Sequence, residues 1–241
     1  MSFGRTSHMD KRTLASFLDL AKHHPETTPE DIRDLCQKVQ TYGFHASFVN
    51  PCYVSLAKNL SQTFNGLVGT VVSFPLGQET QDIKVTTVIK AVKDGADELD
   101  VSMNVGLFKA GQEEKVLAEM EAIVNAAKSL KKMTVVKFII ETGLLTDEEI
   151  KKAAQLVLKS GADFVKTCSG MGPRGANLKD VELIKSVVGG KIKIKVAGGI
   201  DTYQEALAFI KAGVDRIGTS KAIEILEGLN QDLFKSEIHS K

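Results

Sequence analysis

Cysteine is scarce in this chain, and the three present, Cys36, Cys52 and Cys168, are odd in number and lack metal-ligand spacing. No disulfide framework is expected, and a reduced, cytoplasmic compartment fits best. Long apolar runs are missing as well: none approaches the roughly 18 residues of a membrane span. The segment 1–9 carries one early arginine, Arg5, but no apolar stretch, so no secretory signal is expected. Neither sign of charge dominates. The 31 Lys+Arg against 30 Asp+Glu leave a formal net charge of +1, which argues against nucleic acid as a partner, since phosphate-backbone binding calls for a basic surface. No linker or low-complexity segment interrupts the sequence, and 43% hydrophobic with 25% charged residues is an ordinary globular composition. Residues 1–12 read as an N-terminal extension and 13–241 as one domain.

What is present is a repeated unit: an amphipathic helix, a glycine, then a short apolar strand. It recurs at Gly43 before His45–Asn50, Gly95 before Glu98–Asn104, Gly161 before Phe164, and Gly213 before Asp215–Ser220. Glycine just past a helix C-terminus takes the left-handed conformation without a Cβ clash. Helix-to-strand units recurring at this spacing build a parallel sheet. The pattern predicts strands near 16–21, 45–50, 67–74, 98–104, 134–142, 164–168, 193–198 and 215–220. Helices are predicted over 29–41, 78–94, 113–130, 147–160, 178–187 and 203–212, with start signals at Thr28-Pro-Glu-Asp31 and Thr146-Asp-Glu-Glu149. Eight alternations in this length match an α/β protein of the (β/α)8 TIM-barrel type, which runs to roughly 250 residues. A doubly wound open sheet is the alternative. Polar residues inside several strands favour the barrel, whose interior accommodates a polar upper layer.

Active sites of such barrels lie at the C-terminal ends of the strands. The first strand delivers Asp19 there, the second Asn50, the fourth Asp100, the fifth Lys137 and Glu141, the sixth Lys166 and the seventh Lys195. Lysines and aspartates in apolar strands are costly unless they pair. Phe164-Val-Lys166-Thr167-Cys168-Ser169-Gly170 is a short buried strand emptying into a polar turn, and Lys193-Ile-Lys195-Val-Ala-Gly198-Gly199 nearly copies it. Burial lowers the pKa of an amine, and a neutral amine attacks a carbonyl to form a Schiff base. The plainer alternative is a structural ion network, such as Asp100 with Lys195; for Lys137 that role stands beside a chemical one. Glycine-rich turns at Gly170–Gly175, Gly198-Gly199 and Gly218-Thr-Ser220 follow the last three strands, where such barrels frequently bind phosphate at a helix N-terminus. Ser220 and Lys221 precede that helix, so the set points to a phosphorylated carbonyl substrate.

At these residues the chain resembles deoxyribose-phosphate aldolase, from about Leu18 to Leu226. The resemblance rests on Tyr42-Gly-Phe with Val49-Asn-Pro51, Phe74-Pro-Leu-Gly77, Gly95-Ala-Asp-Glu-Leu-Asp100, Ile139-Ile-Glu-Thr142, Gly161-Ala-Asp-Phe-Val-Lys-Thr167, and Lys195 before Gly198-Gly-Ile200. It implies Lys166 as the imine-forming lysine, Lys195 as the second lysine that perturbs it and relays protons, and Asp100 as proton donor and acceptor. Asp19, Asn50, Lys137, Thr167 and Ser169 are then expected at the substrate, and Gly170, Gly198, Gly199, Gly218, Ser220 and Lys221 at its phosphate. The implied reaction is reversible cleavage of 2-deoxyribose 5-phosphate to glyceraldehyde 3-phosphate and acetaldehyde. It requires no metal or other cofactor, and the sequence shows no His/carboxylate cluster to hold a metal. A homodimer is the expected assembly. A Schiff-base aldolase for another sugar phosphate, or a catalytically weakened barrel kept for binding, are the alternatives.

The chain also departs from the family pattern. Asp19-Leu-Ala21 stands where Asp-His-Thr or Asp-Leu-Thr is usual, so a hydroxyl is missing. Phe48 replaces a cysteine, Cys168-Ser169-Gly170 replaces Ser-Thr-Gly, Asp201 replaces an arginine, and Lys221 replaces a serine and could offset Asp201. The end, Ser236 to Lys241, lacks the tyrosine some members carry. Elsewhere, Cys168 reads as a packing residue, His23-His24 as a solvated turn, His45 as a structural histidine and Lys131-Lys132 as a helix-end pair suited to the dipole.

Overall fold

The computed structural model describes residues 9–229. The chain termini, including the tail 236–241, lie outside that span, so the tail comparison falls outside the described residues. Eight strands, β1 (Leu18–Lys22), β2 (Ala46–Val49), β3 (Leu67–Val72), β4 (Glu98–Ser102), β5 (Val135–Ile139), β6 (Phe164–Lys166), β7 (Lys193–Ala197) and β8 (Arg216–Thr219), pair in chain order and close into a barrel. All pairings are parallel, including β1 with β8, so the open-sheet alternative is excluded. No helix among the described residues is long and apolar enough to cross a membrane.

The helices form where local chemistry starts and stops them. α2 (Pro29–Tyr42), α7 (Asp147–Lys159), α8 (Leu178–Val188) and α9 (Tyr203–Ala212) each begin with a capping box, from Thr28, Thr146, Asn177 and Thr202. α2 stops at Gly43, whose φ of 70° suits only a residue free of Cβ strain. α6 (Glu113–Leu130) spans its predicted range, while α4 (Gln81–Lys93) begins three residues later than the predicted 78. Three short helices were not predicted: α1 (Lys11–Ser16), α3 (Val54–Ser61) and α5 (Val105–Lys109). α3 lacks a side-chain N-cap; α5 is capped by Asn104, whose Oδ1 accepts from the Leu107 N–H at 3.0 Å, but is barely more than one turn long. α1 straddles the boundary placed after residue 12, and its Leu14 and Ala15 pack into the core. The segment 222–229 is helical, as the phosphate-site reading requires.

Strand alternation sorts the side chains into two compartments. Leu18, Leu20, Leu99, Val101, Val136, Phe138, Val165, Ile194, Val196 and Ile217 join the helices in one apolar cluster. Their alternating neighbours Asp19, Glu98, Asp100, Lys137, Lys166, Lys195 and Arg216 are all buried outside that cluster and contact one another across the barrel axis. Such interiors are usually filled with Val, Ile and Leu. Here the filling is ionic.

Candidate active site

Asp100 is the hub of that interior. Its Oδ2 accepts hydrogen bonds from Lys166 Nζ and Lys195 Nζ, each at 2.8 Å, and its Oδ1 accepts from Lys137 Nζ at 3.0 Å. The register explains the convergence, because Asp100 lies level with Lys137 on β5, and Lys166 level with Lys195 on β7. Lys195 Nζ also lies 2.7 Å from Asp19 Oδ2, and Arg216 sits 3.4 Å from the other Asp19 oxygen. Lys137 donates at 2.5 Å to Glu98, whose other oxygen meets His45 Nε2 at 2.8 Å. The acids are Asp19, Glu98 and Asp100; the bases are Lys137, Lys166, Lys195 and Arg216. Fully ionised, the interior would carry one positive charge too many. Burial makes such an excess expensive, so one cation is driven to give up its proton.

Lys166 is the one best placed to do so. Its pKa is lowered: burial strips the ammonium of water and Lys195 and Lys137 repel it, against the pull of Asp100. Lys137 goes the other way. Burial opposes its charge, but Asp100, Glu98 and Asp19 outweigh burial and raise its pKa. Burial also opposes the Asp100 carboxylate, yet Lys137, Lys166 and Lys195 hold its pKa well below the usual range. Burial raises Glu98, with Lys137 pulling against it.

A cavity of about 210 Å³ opens above this network, at the C-terminal end of the strands. Asp100, Lys166 and Lys195 form its floor; Gly170, Gly198, Gly199, Gly218 and Ser220 form one wall, and Ser169 also faces it. Arg174 anchors the 170–175 loop by donating to Asp180 at 2.6 and 2.9 Å and to the Thr142 carbonyl at 3.1 Å. The glycines are structural necessities there. A Cβ on Gly175 would fall 2.1 Å from the Gly198 carbonyl oxygen. Glu141, in the left-handed region at φ 54°, accepts from the Ser169 N–H at 3.1 Å and fixes the start of the loop.

The structure thus brings together Lys166, Lys195, Asp100, Ser169 and the glycines with Ser220, and separates the other expected residues from the cavity. Asp19, Thr167 and Lys137 are fully buried beneath or beside the floor and are not part of its wall. Asp19 holds Lys195, and Lys137 holds Asp100, so both support the site rather than line it. Asn50 lines a different depression, with Pro51, Phe74 and Gln78. Lys221 is half exposed and donates to Glu224 at 3.0 Å instead of facing the cavity. Cys168 is buried against Thr142 at 3.1 Å, and burial pushes its thiol pKa up, as befits a packing residue.

Three corrections concern residues the sequence undervalued. His23 is no solvated turn: it lines the cavity, its ring centroid 5.4 Å from that of Phe74. Glu98 and Arg216 complete the ion network; both lie two residues from a residue facing the axis, Asp100 and Gly218, and that alternation was the available signal. A His/carboxylate cluster does exist, since ligand atoms of Asp19, His45 and Glu98 lie within 4.8 Å of one another. Its acids already face Lys195, Arg216 and Lys137, so its negative charge is matched from within the chain.

The sequence profile of the DeoC/LacD family aldolases matches residues 6–222. The deoxyribose-phosphate aldolase of Thermococcus kodakarensis is 44% identical over 222 residues, covering 91% of this chain and 98% of that protein. That of Thermococcus gammatolerans is 46% identical over 217 residues, covering 89% and 96%. The solved deoxyribose phosphate aldolase of Aeropyrum pernix, described as a tetramer, superimposes with a TM-score of 0.86 at 32% identity, covering 92% of each chain. With a closed eight-stranded barrel and paired lysines at its carboxyl end, the chain belongs to the DeoC/LacD family of aldolases.

Proposed function

We propose that this aldolase cleaves 2-deoxyribose 5-phosphate reversibly into glyceraldehyde 3-phosphate and acetaldehyde through a Schiff base on Lys166. The observation that carries the reading is the pair of amines sharing Asp100 Oδ2 at the floor of a glycine-walled cavity. Lys166, with its lowered pKa, attacks the C1 aldehyde, and loss of water gives the protonated imine. The C3 hydroxyl loses its proton to Asp100, assisted by Lys195, as the C2–C3 electrons move into the imine. Glyceraldehyde 3-phosphate departs and an enamine remains. A proton returned to C2 regenerates an imine, which water hydrolyses to acetaldehyde and free Lys166. Neither a metal nor an organic cofactor enters these steps.

The phosphate is assigned to Gly170, Gly198, Gly199, Gly218 and Ser220, beside the N-terminus of the 222–229 helix. A homodimer acting in the cytoplasm on sugar phosphates from deoxynucleoside breakdown completes the proposal; the relatives' names support the sugar-phosphate substrate, and the Aeropyrum pernix relative is described as a tetramer, an alternative assembly. Incubation with the sugar phosphate and borohydride should add one reduced adduct at Lys166, located by peptide mass. An adduct at another lysine, or none, overturns the assignment. Asp201 in the cavity wall supports a second reading, an aldolase for a different sugar phosphate; turnover measured across phosphorylated aldoses separates the two.

A further inference from the structure

His23 stands out among the polar side chains around the cavity. Ser169 Oγ accepts from the Met171 N–H at 3.0 Å, and Thr219 Oγ1 donates to the Ile200 carbonyl at 2.9 Å. His23 lines the same cavity, yet its imidazole has no hydrogen-bond partner among the described residues, and its Nδ1 is wholly buried. Nδ1 is closed off, which leaves Nε2 as the nitrogen open to a ligand in the cavity, and an imidazole nitrogen without a protein partner there is free to donate or accept. The ring is held at the amine end of the cavity: it packs on Phe74, whose own ring centroid lies 6.0 Å from Lys166 Nζ. Burial first, then the nearby Lys166 and Lys195 amines, lower its pKa to about 3 against the pull of Asp100, so near neutral pH the ring is an uncharged donor and acceptor.

The substrate has one polar group without an assigned partner. Lys166 takes C1, Asp100 and Lys195 take the C3 hydroxyl, and the glycine loops take the phosphate. The C4 hydroxyl lies between them. Ala21, in the cavity wall at the end of β1, offers no hydroxyl to meet it.

We propose that His23 is a substrate-contacting residue that hydrogen-bonds the C4 hydroxyl of the sugar phosphate, which is the C2 hydroxyl of the acceptor glyceraldehyde 3-phosphate. The inference rests on the Schiff-base reading above. His23 then selects for hydroxylated acceptors, a role that Ala21 cannot fill.

The test compares addition of acetaldehyde to glyceraldehyde 3-phosphate and to 3-phosphopropanal, which lacks that hydroxyl. His23→Leu should lower kcat/KM for glyceraldehyde 3-phosphate about fivefold to tenfold, the loss of one neutral hydrogen bond. For 3-phosphopropanal it should change less than about twofold, and His23→Asn should recover part of the discrimination. Equal losses for both acceptors, or no loss for either, overturn the proposal. Borohydride trapping runs alongside. Trapping at Lys166 in wild type without acceptor discrimination sinks only the role of His23; no trapping in wild type sinks the proposed function and this inference with it. Should His23→Leu fail to trap, His23→Phe, which keeps a ring against Phe74, carries the comparison with the same outcomes.

Discussion

Phe48 and Gly69 occupy one volume on adjacent strands: a Cβ built on Gly69 would fall 2.2 Å from the Phe48 ring. The ring is wedged between two amines, with Lys195 Nζ 3.6 Å and Lys137 Nζ 4.7 Å from its centroid. Phe48 therefore fills the floor of the barrel and offers a π-face to the cations of the network. Gly69→Ala should destabilise by about 1–3 kcal/mol through overpacking, and Phe48→Leu by roughly 1–2 kcal/mol through the gap it leaves. Together they should cost at least about 1 kcal/mol less than the sum, since each relieves the other. Urea unfolding of the four proteins reads this directly. Strict additivity would show that the two residues do not share space.

Lys166 and Lys195 should separate when stability and activity are measured together. Lys195 bridges Asp19 and Asp100, so Lys195→Met leaves two buried carboxylates short of a partner, a loss of about 3–5 kcal/mol. Lys166 has a lowered pKa and shares Asp100 with two other amines, so Lys166→Met should stay within about 1 kcal/mol of wild type. Lys166→Met should nonetheless abolish the borohydride adduct and turnover. Matching losses of stability in the two variants at pH 7 would contradict a charge balance in which Lys166 alone gives up its proton.

His23 gives the stability a pH signature. Its folded pKa of about 3 lies below the ordinary 6.5, so between those values the unfolded chain binds more protons than the folded one. The neutral ring's contribution is complete above pH 6.5 and is lost as pH falls toward 3. His23→Leu should flatten the dependence of Tm on pH across that window while leaving it parallel to wild type above neutrality. An unchanged slope between pH 4 and 6 would mean that His23 titrates normally in the fold.

The barrel was legible because its signals are local: caps, C-terminal glycines and apolar alternation recur in each unit, and the sheet order follows chain order. Lys166, Lys195 and Asp100 were legible because charged residues inside apolar strands are conspicuous. Position in depth was not. Lys137 and Asp19 look like site residues in sequence but lie beneath the floor, because which layer a residue occupies depends on strand stagger around the closed barrel. His23 was hidden for the opposite reason: it sits in a polar, proline-flanked stretch, and only the packing of Phe74 from a loop 51 residues later brings it to the cavity. Lys221 failed for want of direction, since a side chain at a helix start can turn to Glu224 as readily as to the cavity.

Asp201 supplies the remaining prediction. It is exposed and lines the cavity beside Gly198, Gly199 and Ser220, where the phosphate is assigned, and Lys221, which feels its charge, is shared with Glu224, to which it hydrogen-bonds. Its backbone N–H donates to Glu205 at 3.0 Å, which fixes its position at the start of α9. A carboxylate there repels a phosphate dianion, and at an exposed site the effect is modest, about 0.2–1 kcal/mol. Asp201→Asn should therefore lower KM for 2-deoxyribose 5-phosphate by roughly twofold to fivefold at low salt, with kcat little changed. The gain should fade toward 0.5 M salt, where screening shortens the reach of surface charges to about 4 Å. Unphosphorylated 2-deoxyribose should show no gain at any salt concentration. If the neutral sugar improves as much as the phosphorylated one, Asp201 shapes the cavity sterically and the phosphate binds elsewhere.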